Sequence, residues 1–123
     1  MTVVPRPGRP THTLPGARFT SLVTPSTGSP EMAVWEVDLS EGHAPAPHSL
    51  TRQEVFVVTG GAGTATLDGE PHTLAPGDTL VVLPGVELTL RPGADGLTAL
   101  CLMVADGKAV IGDGEPFTPP WAV

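Results

Sequence analysis

The sequence predicts an all-β fold, one small sandwich or barrel, and three observations carry that expectation. Gly and Pro together account for 30 of the 123 residues, and both are poor in helix interiors. From Arg18 onward, short apolar runs alternate with turn signals at close intervals, the habit of sandwiches and barrels. Hydrophobic residues make up 40% of the chain and are spread along its length, which is enough for one core of ordinary size and too much for a disordered segment.

Taken in order, residues 1–17 are crowded with Pro, Gly and Arg. They show neither helical nor strand period and read as an extended arm. Strands are expected over 19–24, 32–39, 54–59, 63–67, 72–74, 79–83, 87–91 and 98–105. Ala33, Trp35, Val37 and Leu39 alternate with Glu36 and Asp38, so they form the inward face of their strand. Phe56 shares parity with Glu54, so the two side chains lie on one face of their strand. Asp68-Gly69 joins two strands as a hairpin, and Pro84-Gly85 and Asp95-Gly96 are further turn pairs. Gly60-Gly61-Ala62-Gly63 reads as a turn between strands, since neither a helix nor a Lys follows to make a phosphate loop. Val55-Phe56-Val57-Val58 and Leu80-Val81-Val82-Leu83 are apolar on both parities. One face then looks into the barrel, and the other is expected to be covered by a second copy in a homodimer. The tail from Gly114 to Trp121 is Pro-rich yet holds Phe117 and Trp121, and such rings are expected to pack back on the body. The chain thus divides into an arm (1–17), a barrel (18–112) and a Pro-rich tail docked on it (113–123).

The net charge of −7, with five Arg and one Lys, disfavours nucleic acid and anionic membrane surfaces as partners. The longest apolar stretch, 97–105, is far short of a membrane-spanning helix. No apolar segment follows the basic N-terminus, so a cytoplasmic location is expected. Cys101 lies in an apolar run, where a lone thiol behaves as a small core hydrophobe. Asn and Tyr are absent and Lys and Ile occur once each, a codon bias that fits a GC-rich bacterial genome.

The informative stretch runs from Gly42 to Leu88. Gly42, then His48 after five residues, Glu54, and Gly61 after six more follow the first motif of the cupin family of small β-barrels. The motif's second His position is Leu50. Gly77 and Gly85 fit the second motif, with Pro84 one place late, Leu88 in the His position and Pro92 in the Asn position. The Leu67-Asp68-Gly69-Glu70 and Leu74-Ala75-Pro76-Gly77-Asp78 turns also look cupin-like. The chain therefore resembles a cupin with a degenerate metal motif, which implies a jelly-roll, or double-stranded β-helix, barrel.

Metal-binding cupins hold an ion through the two His and the Glu of the first motif and the His of the second. Carried over, the resemblance leaves His48 and Glu54 and puts leucine at 50 and 88. Two protein ligands fall short of the three or four that first-row metals use, so no cofactor is expected. If a metal binds, iron, manganese or nickel at His48 and Glu54 is the alternative. His43 lies five residues before His48 but opens a Pro-rich loop, and is expected to be solvated there. His72 is expected to face outward, and His12 belongs to the arm.

Without a metal, an imidazole and a carboxyl inside the barrel make a general acid–base pair, the Glu fixing the imidazole tautomer. Leu50, Leu88, Trp35 and Phe56 are expected to line the same pocket and lower its polarity. The expected partner is a small, largely apolar organic molecule with one ionisable or enolisable group, which the His48/Glu54 pair would isomerise, cyclise or eliminate. A metal-dependent dioxygenase-like cupin and a non-catalytic ligand-binding module are the two alternatives.

Overall fold

The computed structural model describes residues 2–123. Among these residues nine strands follow one another: β1 (His12–Leu14), β2 (Ala17–Val23), β3 (Met32–Leu39), β4 (Ser49–Leu50), β5 (Glu54–Leu67), β6 (Glu70–Leu74), β7 (Thr79–Val82), β8 (Leu88–Val104) and β9 (Ala109–Val110). Among the described residues helix is confined to two short 3-10 turns, Pro25–Thr27 and Pro120–Ala122, and none is long and apolar enough to cross a membrane. Seven strands form one antiparallel sheet, in the order β1-β2-β3-β8-β5-β6 with β7 also on β5, while β4 and β9 pair separately. The all-β barrel expected from the spacing of runs and turns is the fold found.

Two expected turns are absent because the strands run through them. Gly60–Gly63 lies inside β5 and Asp95-Gly96 inside β8, and the register between these long strands jumps there. Ala62 stands opposite the segment 93–96, so β8 carries extra residues that bend the pair. Glycine is required at this corner: Gly61 has φ of +70°, and a Cβ on it would lie 2.1 Å from the Gly96 carbonyl oxygen. On one side of the corner, residues 54–57 of β5 lie between β7 and β8; on the other, 63–67 lie between β6 and β8. The expected Asp68-Gly69 hairpin joins β5 to β6, with φ of 48° and 82° at the two residues.

The inward faces follow the parity of the sequence. Trp35, Cys101, Phe56 and Leu80 stand in one row across β3, β8, β5 and β7, and Ala33, Met103, Glu54 and Val82 form the next. All eight are buried. The outward row is Val34, Leu102, Val55 and Val81, and Val81 and the neighbouring Leu83 are exposed.

The arm is structured from His12 on. Leu14 pairs with Ala17 across Pro15-Gly16, whose Gly16 has φ of +71°, the Pro-then-Gly signature of a tight turn. Further back, Arg6 reaches Glu36 on β3 at 2.7 Å. The tail returns to the barrel: Trp121 stacks on Phe19 of β2 with ring centroids 3.6 Å apart and planes 5° from parallel. Ser21 Oγ donates to the Trp121 carbonyl at 2.7 Å, and Ser26 Oγ to that of Val123 at 2.8 Å.

Candidate functional site

The barrel holds a cavity of about 340 Å³, open at one side and lined almost wholly by apolar side chains, within the range of small-molecule sites. Strands β1, β2, β3, β5 and β8 supply one wall, with Trp35, Glu54, Phe56 and Cys101 among its residues, and the other comes from the 43–50 segment, the 109–111 stretch and the tail, including Phe117 and Trp121. Of the residues singled out in the sequence, Trp35, His48, Leu50, Glu54 and Phe56 all reach this cavity. Leu88 does not line it: it is completely buried, held by a backbone bridge to His48 and by pairing with Leu67. That position leaves it no surface on the cavity. Leu90, two residues on and so on the same face of β8, lines it instead.

Glu54 begins β5 and faces inward between Met103 and Val82 in its row. It is 4% exposed, and among the described residues no side-chain hydrogen bond or ion pair reaches its carboxyl. Burial pushes its pKa from the ordinary 4.5 up to about 8, because the charged form loses its hydration without gaining a partner. At neutral pH the carboxyl is protonated and can donate.

His48 sits just before β4, its N–H donating to the Leu88 carbonyl at 3.1 Å and its own carbonyl accepting from Leu88 N–H at 2.7 Å. One residue lies between His48 and Leu50, so both face the cavity. His48 Nδ1 lies 3.0 Å from the Ala46 carbonyl oxygen. A carbonyl only accepts, so Nδ1 carries a proton, and in the neutral ring Nε2 keeps its lone pair. The imidazole is therefore oriented by the backbone of its own loop. This corrects the expectation that Glu54 fixes the tautomer, since no hydrogen bond or ion pair joins the two side chains among the described residues. They are separate groups opening on one cavity.

His43 also departs from expectation. It is half-buried and lines the cavity rather than standing in solvent. The cause is the packing of its backbone: His43 N–H donates to the Ser40 carbonyl at 2.8 Å, Ser40 N–H donates to Gly16, and a Cβ on Gly16 would lie 2.6 Å from the His43 Cα. The β1–β2 turn thus clamps the loop against the barrel. His72 is exposed as expected, and His12 packs edge-on to Trp121 with centroids 6.5 Å apart. Cys101 is fully buried, and its thiol pKa is raised well above the ordinary value by burial and then by Glu54. Its parity with Leu97, Ala99 and Met103 was the signal for its inward side chain. For the tail, the signal was the presence of Phe117 and Trp121 in a Pro-rich stretch, which marked rings that pack back on the body but not the cavity they line.

The donor set does not fit a metal centre of the usual kind. Glu54, His48, His43 and Cys101 share the cavity, yet among the described residues no three His, Cys, Asp or Glu side chains converge to hold an ion. Leu50 occupies a third motif position with a side chain that offers no lone pair.

Motif, barrel and cavity together define a class. The sequence model of the cupin domain matches residues 35–105, and the chain belongs to the cupin family. Among individual proteins it is 28% identical over 95 residues to the dimethylsulfoniopropionate lyase DddW of Ruegeria pomeroyi, an alignment covering 76% of this chain and 62% of the lyase. Among solved structures, it resembles the salicylate 1,2-dioxygenase of Pseudoaminobacter salicylatoxidans in its gentisate adducts. The TM-score is 0.71 at 24% identity, covering 87% of this chain and 32% of the dioxygenase. KdgF from Halomonas sp. has a TM-score of 0.67 at 21% identity, covering 76% of this chain and 83% of that protein. The chain thus spans about three-fifths of the lyase and a third of the dioxygenase, and the two structural likenesses establish the fold.

Proposed function

We propose that this cupin binds a small, largely apolar organic molecule carrying a carbonyl-type oxygen, and that Glu54 and His48 act on it as acid and base without a metal. The observation that carries this reading is the pairing, in one apolar cavity, of a protonated and unpartnered carboxyl with an imidazole whose Nε2 is bare. General acid–base chemistry needs one group of each kind near its working pH. His48 Nε2 takes a proton from the carbon next to the carbonyl. The released electron pair forms a carbon–carbon double bond, and the carbonyl oxygen takes the Glu54 proton. Where a second double bond is conjugated with this one, His48 returns its proton at the far carbon and the oxygen's proton goes back to Glu54, which isomerises the molecule. Where the β-carbon bears a leaving group, that group departs with its bonding pair and takes the proton held by His48, while the oxygen's proton goes back to Glu54, which eliminates it. Likeness to a lyase supports the second outcome.

The test is deuterium exchange. Small ketones and esters are incubated with the protein in D₂O and followed by proton NMR. Exchange at the carbon beside the carbonyl is expected for the unaltered protein, with and without chelator, and is expected to vanish in His48→Ala and Glu54→Gln. Exchange abolished by chelator and restored by iron, manganese or nickel would replace this reading with the metal-dependent one. Ligands that bind but never exchange would leave a binding module.

For the outer face we propose a second copy of the chain as the cover, because the row Val34, Leu102, Val55 and Val81 runs across four strands without a charge. Sedimentation of the unaltered protein as a dimer, and of Val81→Lys as a monomer, is the expected result.

A further inference from the structure

His43 belongs to neither cupin motif, yet its ring lines the cavity with His48 and Glu54. Its two nitrogens stand in different surroundings. Nδ1 is shut off from solvent and has no hydrogen-bond partner, and it is the one such buried side-chain nitrogen or oxygen among the described residues. Nε2 is not shut off in this way and makes no side-chain hydrogen bond among the described residues, so of the two nitrogens it is the one open to a ligand. A buried N–H without an acceptor costs more than a buried bare lone pair. The neutral ring therefore keeps its proton on Nε2 and leaves Nδ1 bare.

His48 has the opposite arrangement, with Nδ1–H bound to the Ala46 carbonyl and Nε2 bare. Two imidazoles on one cavity thus play complementary parts, one as acceptor and one as donor. The backbone that carries His43 is held in place by Ser40 and by the close approach of Gly16, so the donor is positioned before any ligand arrives.

We propose that His43 is a specificity-determining residue whose Nε2–H donates a hydrogen bond to an oxygen acceptor of the ligand, so that the cavity selects molecules bearing a carbonyl or carboxylate oxygen over hydrocarbons of the same shape. This rests on the cavity being the ligand site, as argued above. It adds a recognition contact outside the acid–base pair, and it makes no use of a metal. An apolar wall grips any small hydrophobe, whereas a fixed donor that goes unpaired when the ligand lacks an acceptor discriminates between isosteres.

The experiment is an NMR titration with three probes: acetophenone, benzoate, and α-methylstyrene, in which a CH₂ replaces the ketone oxygen. In the free protein, ring ¹⁵N shifts are expected to show protonated Nε2 and bare Nδ1 for His43, and the reverse for His48. His43→Leu is expected to weaken acetophenone and benzoate by about three- to ten-fold, the worth of one hydrogen bond, and to leave α-methylstyrene unchanged. His43→Gln, whose amide N–H can replace Nε2–H, is expected to restore most of the loss. Equal binding of acetophenone by His43→Leu and the unaltered protein, or a His43 proton found on Nδ1, would overturn the proposal while the cavity reading stands. Failure of all three probes to bind the unaltered protein would overturn the cavity reading, and this proposal with it.

Discussion

The cavity has two walls of different origin. On the strand side, Trp35, Glu54, Phe56 and Cys101 project from β3, β5 and β8, each fixed by neighbours in a hydrogen-bonded row. On the other side, His43, His48, Phe117 and Trp121 come from a loop, a two-residue strand edge and the tail. The strand wall is part of the hydrophobic core, so it owes its geometry to folding itself. The second wall is assembled by particular contacts: Gly16 against His43, Ala46 against His48, Phe19 against Trp121. Shape and the buried carboxyl reside in the first wall; the imidazoles proposed above as base and hydrogen-bond donor reside in the second.

If that division holds, truncations on the two walls should differ most. Phe56→Ala removes a buried ring from the row it shares with Trp35, Cys101 and Leu80, and is expected to cost ~3–5 kcal/mol. Trp121→Ala removes a half-buried ring stacked on Phe19 and is expected to cost ~1–2 kcal/mol. Denaturant titration of both variants makes the comparison, and equal losses would erase the distinction.

The next effect depends on pH. The Glu54 pKa is raised by folding from 4.5 to about 8, so the folded state holds its proton more tightly than the unfolded chain does. Its contribution to stability is complete below about 4.5 and is lost as pH rises through about 8. Glu54→Gln cannot ionise. It is expected to match the unaltered protein near pH 4 and to exceed it by ~2–4 kcal/mol at pH 8. Thermal melts at the two pH values would show this, and a constant difference would mean that Glu54 is not held neutral.

The last effect returns to the second wall and is comparable to the loss of Trp121. Gly16→Ala places a methyl group on a residue with φ of +71°, against the His43 backbone, and is expected to cost ~1–3 kcal/mol. Proton–nitrogen spectra should show its shifts concentrated in residues 40–48, with β5 and β8 undisturbed.

Legibility in the sequence follows the same division. Strand parity placed Trp35 inside, because a period of two determines a face; it put Phe56 on the face of Glu54, and the cupin resemblance turned that face inward, since Val55-Phe56-Val57-Val58 is apolar on both parities. Parity gave β3 its limits, and the Asp68-Gly69 pair gave the hairpin. Parity would have shown Cys101 on the cavity too. It could not show that Gly60–Gly63 and Asp95-Gly96 bend two continuous strands, because the same glycines serve a turn or a bulge and only cross-strand pairing separates the two. Leu88 and Leu90 share a face, so sequence alone had no means of deciding which would open on the cavity. His43 was beyond reach for another reason: its position depends on Gly16, far away along the chain, and a Pro-rich loop resembles a solvated one until its partner is known. The strands β4 and β9 are two residues long and exist through each other, too short for any period to register.

The central claim is that the cavity holds an acid kept neutral by burial. Carbon-13 labelling of the glutamate side chains, followed by the Glu54 carboxyl shift from pH 3 to pH 10, tests it most directly. A midpoint near 8 is the predicted result. A midpoint at the ordinary 4.5 would mean a carboxylate at neutral pH, and Glu54 could not serve as the proton donor.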